Sequence, residues 1–121
     1  MTFKTLEDIE VWKQSYSLSL EIYKITLQDS FGRDWSLRDQ IRGSAVSIPS
    51  NIAEGFERNS NGDFRRFVLI AKGSCGELRT QLQLARDIGY IAPVQADSLL
   101  EECSQLSSKL ASLAKYLNIQ R

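Results

Sequence analysis

Apolar side chains return every third or fourth residue along four stretches of this chain, the period of a helix rather than the alternation of a strand. In the first stretch, residues 9–28, Val11, Leu18, Ile22 and Ile25 form one stripe, with Trp12, Tyr16 and Tyr23 beside it. Asp29-Ser30-Phe31-Gly32 is expected to stop this helix, and Ser36 to cap the next. The second stretch, residues 37–56, sets Leu37, Ile41, Ala45, Ile48, Ile52 and Phe56 on one face. Pro49 lies inside it, removing the hydrogen bond to the Ala45 carbonyl at a cost of ~3 kcal/mol. Because the apolar period continues past Pro49, a kink there is expected instead of a break.

The third stretch, residues 61–88, carries Phe64, Val68, Ala71, Cys75, Leu78, Leu82 and Ala85. Ser60, with Asp63 three residues on, resembles a capping box at its start. Gly89 suits a left-handed helix end, and Pro93 suits the first turn of a fourth helix over residues 93–118. There Leu99, Cys103, Leu106, Leu110, Leu113 and Leu117 are spaced by four and three, as in a bundle seam. Four amphipathic helices with short connections predict one all-α domain over residues 1–121, an antiparallel up-and-down four-helix bundle. Leu20, Leu27, Leu69, Ile70, Leu84 and Ile88 fall off these stripes. So many outward apolar residues on one small domain predict self-association.

Composition narrows the chemistry. The chain has 121 residues, 15 basic against 15 acidic side chains and no histidine. Without imidazole, Ser-His-Asp and Cys-His nucleophiles, HExxH zinc sites and the commonest base at neutral pH are all excluded. Cys75 and Cys103 sit on core positions of different helices, outside any CxxC spacing, and read as reduced core residues. Lys72-Gly73-Ser74 inverts the order of a phosphate loop and lies mid-helix. The reading is therefore not an enzyme, with no metal, no cofactor and no small-molecule substrate. The first residues lack a signal-peptide core, and no apolar run reaches the ~20 residues needed to cross a bilayer, so the expected location is cytoplasmic with no membrane partner.

Two constellations remain. Arg58, Arg65, Lys72, Arg79 and Arg86 recur every seven residues. A seven-residue repeat drifts only ~20° per step, so the helical members form one basic row about 30 Å long. Such a row can follow a phosphate backbone. Equally, it can lie at the edge of the core and pair with carboxylates across helices or subunits. The second set joins Arg42, Ser47, Asn51, Glu54 and Arg58 of the second helix to Lys72, Ser74 and Glu77 of the third, with Gly73 and Gly76 allowing close helix approach. It reads either as a buried polar network holding the kink or as a groove for a partner.

Several strings are similar to those of the 23S rRNA intervening-sequence protein family, bacterial four-helix-bundle proteins. They are Leu6-Glu7-Asp8-Ile9-Glu10-Val11-Trp12, Gln40-Ile41-Arg42, Val46-Ser47-Ile48-Pro49-Ser50-Asn51-Ile52-Ala53-Glu54-Gly55, Ala71-Lys72-Gly73-Ser74 and Gly89-Tyr90-Ile91. They cover nearly the whole chain in order. The resemblance implies assembly into a homopentamer, no catalytic activity, and binding of RNA or a nucleoprotein. Gly43 stands where the family often has a second arginine after Arg42. The competing expectation is a protein–protein scaffold with no nucleic-acid role.

Overall fold

The computed structural model describes residues 3–119, the side chain of Asp29 excepted, and every regular element among them is helical. A single 3-10 turn, Leu6–Asp8, leads into α1 (Glu10–Ile25), α2 (Asp29–Arg33), α3 (Trp35–Glu57), α4 (Asn61–Ile88) and α5 (Pro93–Ile119). The long helices close a cycle of contacts, α1 on α3, α3 on α4, α4 on α5 and α5 back on α1. Their predicted stripes meet in the middle. Ile22, Ile41, Ala45, Ile48, Ile52, Phe64, Val68, Leu78, Leu82, Leu106 and Leu110 are fully buried. At ~25 cal/mol per Å² of apolar surface, each buried Val, Leu, Ile or Phe among them contributes about 1.5–3 kcal/mol. Leu113 and Phe56, expected on the seam, are only partly buried against it.

The ends of α4 follow their punctuation. Ser60 Oγ accepts from the Asp63 amide at 3.2 Å, and Gly89 ends the helix at φ 98°. Elsewhere the expected boundaries need correction. α1 stops at Ile25, three residues early, where the Thr26 hydroxyl turns back to the Ile22 carbonyl at 2.8 Å. The segment expected only to stop α1 forms a helical turn of its own, α2, because Phe31 enters the core at 1% exposure. The cap of α3 is Asp34, not Ser36. Its Oδ1 accepts from the Leu37 amide at 3.1 Å while its Oδ2 accepts from the Tyr90 hydroxyl at 2.8 Å. Tyr90 in turn stacks on Phe31 at 5.2 Å, so a single carboxylate ties α2, α3 and the α4–α5 connection together.

α3 runs unbroken through Pro49. The carbonyl that Pro49 cannot serve, that of Ala45, lies 3.0 Å from Ser19 Oγ of α1, whose single proton it shares with the Ser15 carbonyl at 2.9 Å. Ser19 is buried, and leaving such a carbonyl unpaired costs ~1–3 kcal/mol. Ser19 thus gives the Ala45 carbonyl a shared donor from a neighbouring helix. Between α4 and α5 both cysteines are free and buried. The Cys75 thiol donates to the Cys103 carbonyl at 3.2 Å, and hydrogen bonding to Cys75 together with burial pushes the Cys103 thiol up.

Candidate functional site

The basic row keeps four of its five members. Arg65, Lys72, Arg79 and Arg86 lie on α4 beside the core line, on the flank that faces α5. Two observations fix that flank. Arg86 Nη1 reaches Asp97 of α5 at 3.5 Å, and Arg79 is near enough to both thiols at the α4–α5 seam to favour their ionised forms. Arg58 leaves the row. It is the C-cap of α3, pairs with Glu54 at 3.6 Å, and sets its guanidinium 5.1 Å over the Phe67 ring on the other flank of α4.

The remaining cations have few counter-charges. Arg86 is held by Asp87 at 3.0 Å as well as by Asp97, and these carboxylates raise its pKa, the Asp87 hydrogen bond most. Among the described residues, Arg65, Lys72 and Arg79 have no carboxylate within 4.0 Å. Arg65 and Lys72 are half-buried, and Arg65 Nε is shielded from solvent with no hydrogen-bond acceptor. By helical period the adjoining side of α5 continues from Asp97 as Leu100, Glu101, Ser104, Ser107 and Ala111, where Glu101 Oε1 accepts from Gln105 and forms no ion pair with the row. The expected cross-helix pairing therefore occurs at one end of the row only. The other three positive charges lie along the seam with no ion pair across it among the described residues.

The polar constellation separates into pieces. Its centre is real: Ser47 Oγ and Ser74 Oγ share a hydrogen bond of 2.8 Å between α3 and α4, and Asn51 Nδ2 donates to the Ser47 carbonyl and hydroxyl at 2.7 and 2.9 Å. Arg42 points the other way. Its Nε donates to Thr26 Oγ1 at 2.8 Å and its guanidinium covers the Tyr23 ring at 4.5 Å, both on the α1 side. Glu54 and Arg58 form their own exposed pair, and Lys72 belongs to the basic row. Glu77 is exposed and borders a shallow groove of about 390 Å³ with Gln40, Gly43, Ser44, Ser47 and Gln81. Gln81 Oε1 is buried there without a donor.

Gly73 and Gly76 do not bring helices of this chain together. Both are exposed, and a methyl group added at either would meet no atom within 4 Å. The close approach belongs to Gly55, whose added Cβ would lie 2.7 Å from Phe67 Cβ and 3.2 Å from the Phe64 backbone. Sequence reasoning also missed Ser19. Its signal was present, since a proline inside a helix always strips one carbonyl of its amide and a small hydroxyl residue on a neighbouring apolar stripe is a natural replacement.

A family model described as 23S rRNA-intervening sequence protein matches residues 7–112. Among solved structures, a protein of unknown function from the S23 ribosomal protein family of Bacteroides thetaiotaomicron is similar, with a TM-score of 0.79 and 26% identity over 87% of this chain and 98% of the other. No curated protein matches in sequence. No helix among the described residues is long and apolar enough to cross a membrane.

Proposed function

Because the chain belongs to the 23S rRNA-intervening sequence protein family, we propose that it is a non-enzymatic cytoplasmic binding protein, an antiparallel four-helix bundle that self-associates, as a pentamer by resemblance, and holds RNA or a ribonucleoprotein. The supporting observation is the α4–α5 seam, where Arg65, Lys72 and Arg79 have no carboxylate within 4.0 Å among the described residues. A formal net charge of zero does not oppose this reading. Polyanion binding responds to local positive potential, and the carboxylates paired with the row, those of Asp87 and Asp97, are both on Arg86 at one end of it. Three phosphate contacts to single-stranded RNA give a slope of log affinity against log salt of about −2, at ~0.7 per contact.

Fluorescence anisotropy with single-stranded RNA, titrated from low to moderate potassium chloride, measures that slope. Arg65→Ala/Lys72→Ala should weaken binding and reduce the slope to about −0.7, the share of a single contact. Absence of binding even at low salt rejects the RNA reading. A protein–protein scaffold is the second reading, supported by the α3–α4 groove and the unpaired Gln81 carbonyl within it. In that case partner capture survives the seam substitutions and is lost on Glu77→Ala, in the groove itself.

A further inference from the structure

We propose that Cys75 and Cys103 are a site of reversible oxidation, converted by hydrogen peroxide into one intrachain disulfide that joins α4 to α5. This goes beyond the binding function proposed above and does not depend on it.

The fold builds the pair. Cys75 stands on α4 and Cys103 on α5, and both are at 0% exposure in the seam between those helices. The Cys75 thiol donates to the Cys103 carbonyl at 3.2 Å, so its sulfur already touches the main chain of the residue it would bond. Rotation about the two Cα–Cβ bonds is the motion that turns this contact into a covalent link. The chain has no third cysteine, so no other internal pairing competes.

The surroundings set the two sulfurs apart. Lys72 and Arg79 lie three residues before and four after Cys75, the neighbours on its own side of α4. Hydrogen bonding to Cys103 and the charges of Arg79 and Lys72 hold the Cys75 thiol below its ordinary value of 9.0, against the opposing effect of burial. Cys103 instead follows Glu101 and Glu102. Hydrogen bonding to Cys75, then burial, the charge of Cys75 and that of Glu102 push its thiol up. The thiolate is the nucleophile, so Cys75 attacks and Cys103 resolves.

The Cys75 thiolate attacks one peroxide oxygen and the O–O bond breaks. The departing hydroxide takes up the proton that Cys75 released and leaves as water, with Cys75 now a sulfenic acid. The Cys103 sulfur then attacks the Cys75 sulfur, the S–O bond breaks, and the hydroxyl leaves with the Cys103 proton as a second water. Two electrons pass from sulfur to peroxide. Because both sulfurs are shielded, the oxidant must be small and neutral, and it enters when α5 parts transiently from α4. In a reducing compartment the dithiol is the resting form and the bridge a transient one.

The test exposes the folded, full-length chain to hydrogen peroxide, then unfolds it in excess alkylating reagent for mass measurement. The wild type should lose the mass of two hydrogens, take no label, and migrate as a single chain in non-reducing denaturing electrophoresis. Dithiothreitol should restore both labelling sites. Oxidation should raise Tm by roughly 10 °C, since the bridge restricts the unfolded chain. Cys103→Ala should trap a sulfenic acid at Cys75, captured by unfolding the protein in dimedone. Cys75→Ala should give roughly tenfold less adduct, the thiolate share lost per unit of pKa, with circular dichroism confirming that both variants are helical. Thiols that stay free in the folded wild type, or a bridge that forms only between chains or only in urea, overturn the proposal. Equal dimedone capture by the two variants overturns the roles assigned to the two sulfurs.

Discussion

Replacing Gly55 by alanine isolates one contact on which the crossing of α3 and α4 depends. The added Cβ would stand 2.7 Å from Phe67 Cβ and 3.2 Å from both the Phe64 Cα and a carbon of its ring. Two of these three atoms sit on or next to backbone, so no side-chain rotation relieves the clash. Phe64 is fully buried and packs edge-on against Phe56 at 6.0 Å, which blocks the local escape route. Inserting a methyl group into such a site costs ~1–3 kcal/mol. The better helix propensity of alanine returns up to ~1 kcal/mol. The net expectation is a loss of about 1–2 kcal/mol, or a fall in Tm of roughly 3–8 °C for a domain of this size. Gly43→Ala is the matched control, because nothing lies within 4 Å of its added Cβ. It should gain up to ~1 kcal/mol from propensity alone. Urea denaturation at fixed protein concentration, with slopes compared between variants, measures both. A Gly55→Ala protein as stable as the Gly43→Ala protein would refute the close-approach argument.

Two further predictions concern pH. Hydrogen bonding to the Asp34 carboxylate, then burial and the charge of Asp34, raise the Tyr90 hydroxyl above its ordinary value of 10.0. The folded value exceeds the unfolded one, so the stability from this contact is complete below pH ~10 and lost as pH climbs through the folded value. Ultraviolet difference titration of wild type against Tyr90→Phe should show late ionisation that Asp34→Asn brings forward; coincident titration with the other tyrosines would contradict it. Burial, reinforced by Glu21, raises the Glu102 carboxyl above its ordinary 4.5. Its contribution is present below the unfolded value and disappears as pH rises, so Glu102→Gln should raise Tm at pH 7 and leave it unchanged near pH 3; equal effects at both pH values would count against this.

The helices were legible in proportion to how local their causes are. α4 could be bounded from Ser60 and Gly89 because a capping hydroxyl and a left-handed glycine act within a turn of where they stand. α2 could not, because its cause is the burial of Phe31 against Tyr90, a residue on the far side of α4. The same distance hid Asp34, whose second ligand is the Tyr90 hydroxyl. In the site, the seven-residue repeat located Arg65, Lys72, Arg79 and Arg86 on one flank but could not say whether carboxylates faced them, since that depends on which side of α5 turns inward. Arg42 and Asn51 are nine residues apart, which at 100° each sets them on opposite faces, so the period itself separates them. Arg58 shared the repeat but not the helix.

The hydroxyl of Ser19 on the Ala45 carbonyl has a consequence for how the fold is reached. An α-helix ordinarily closes its ladder from its own amides, so its integrity is a local property. Here one rung is filled in part by a different segment, so the pairing of the Ala45 carbonyl depends on how α1 is docked. The two helices are therefore not independent parts that happen to touch. A fragment lacking α1 would carry a weak point in the middle of its first long helix. Substitutions at Ser19 and Pro49 should not add, because the second erases the vacancy the first was filling.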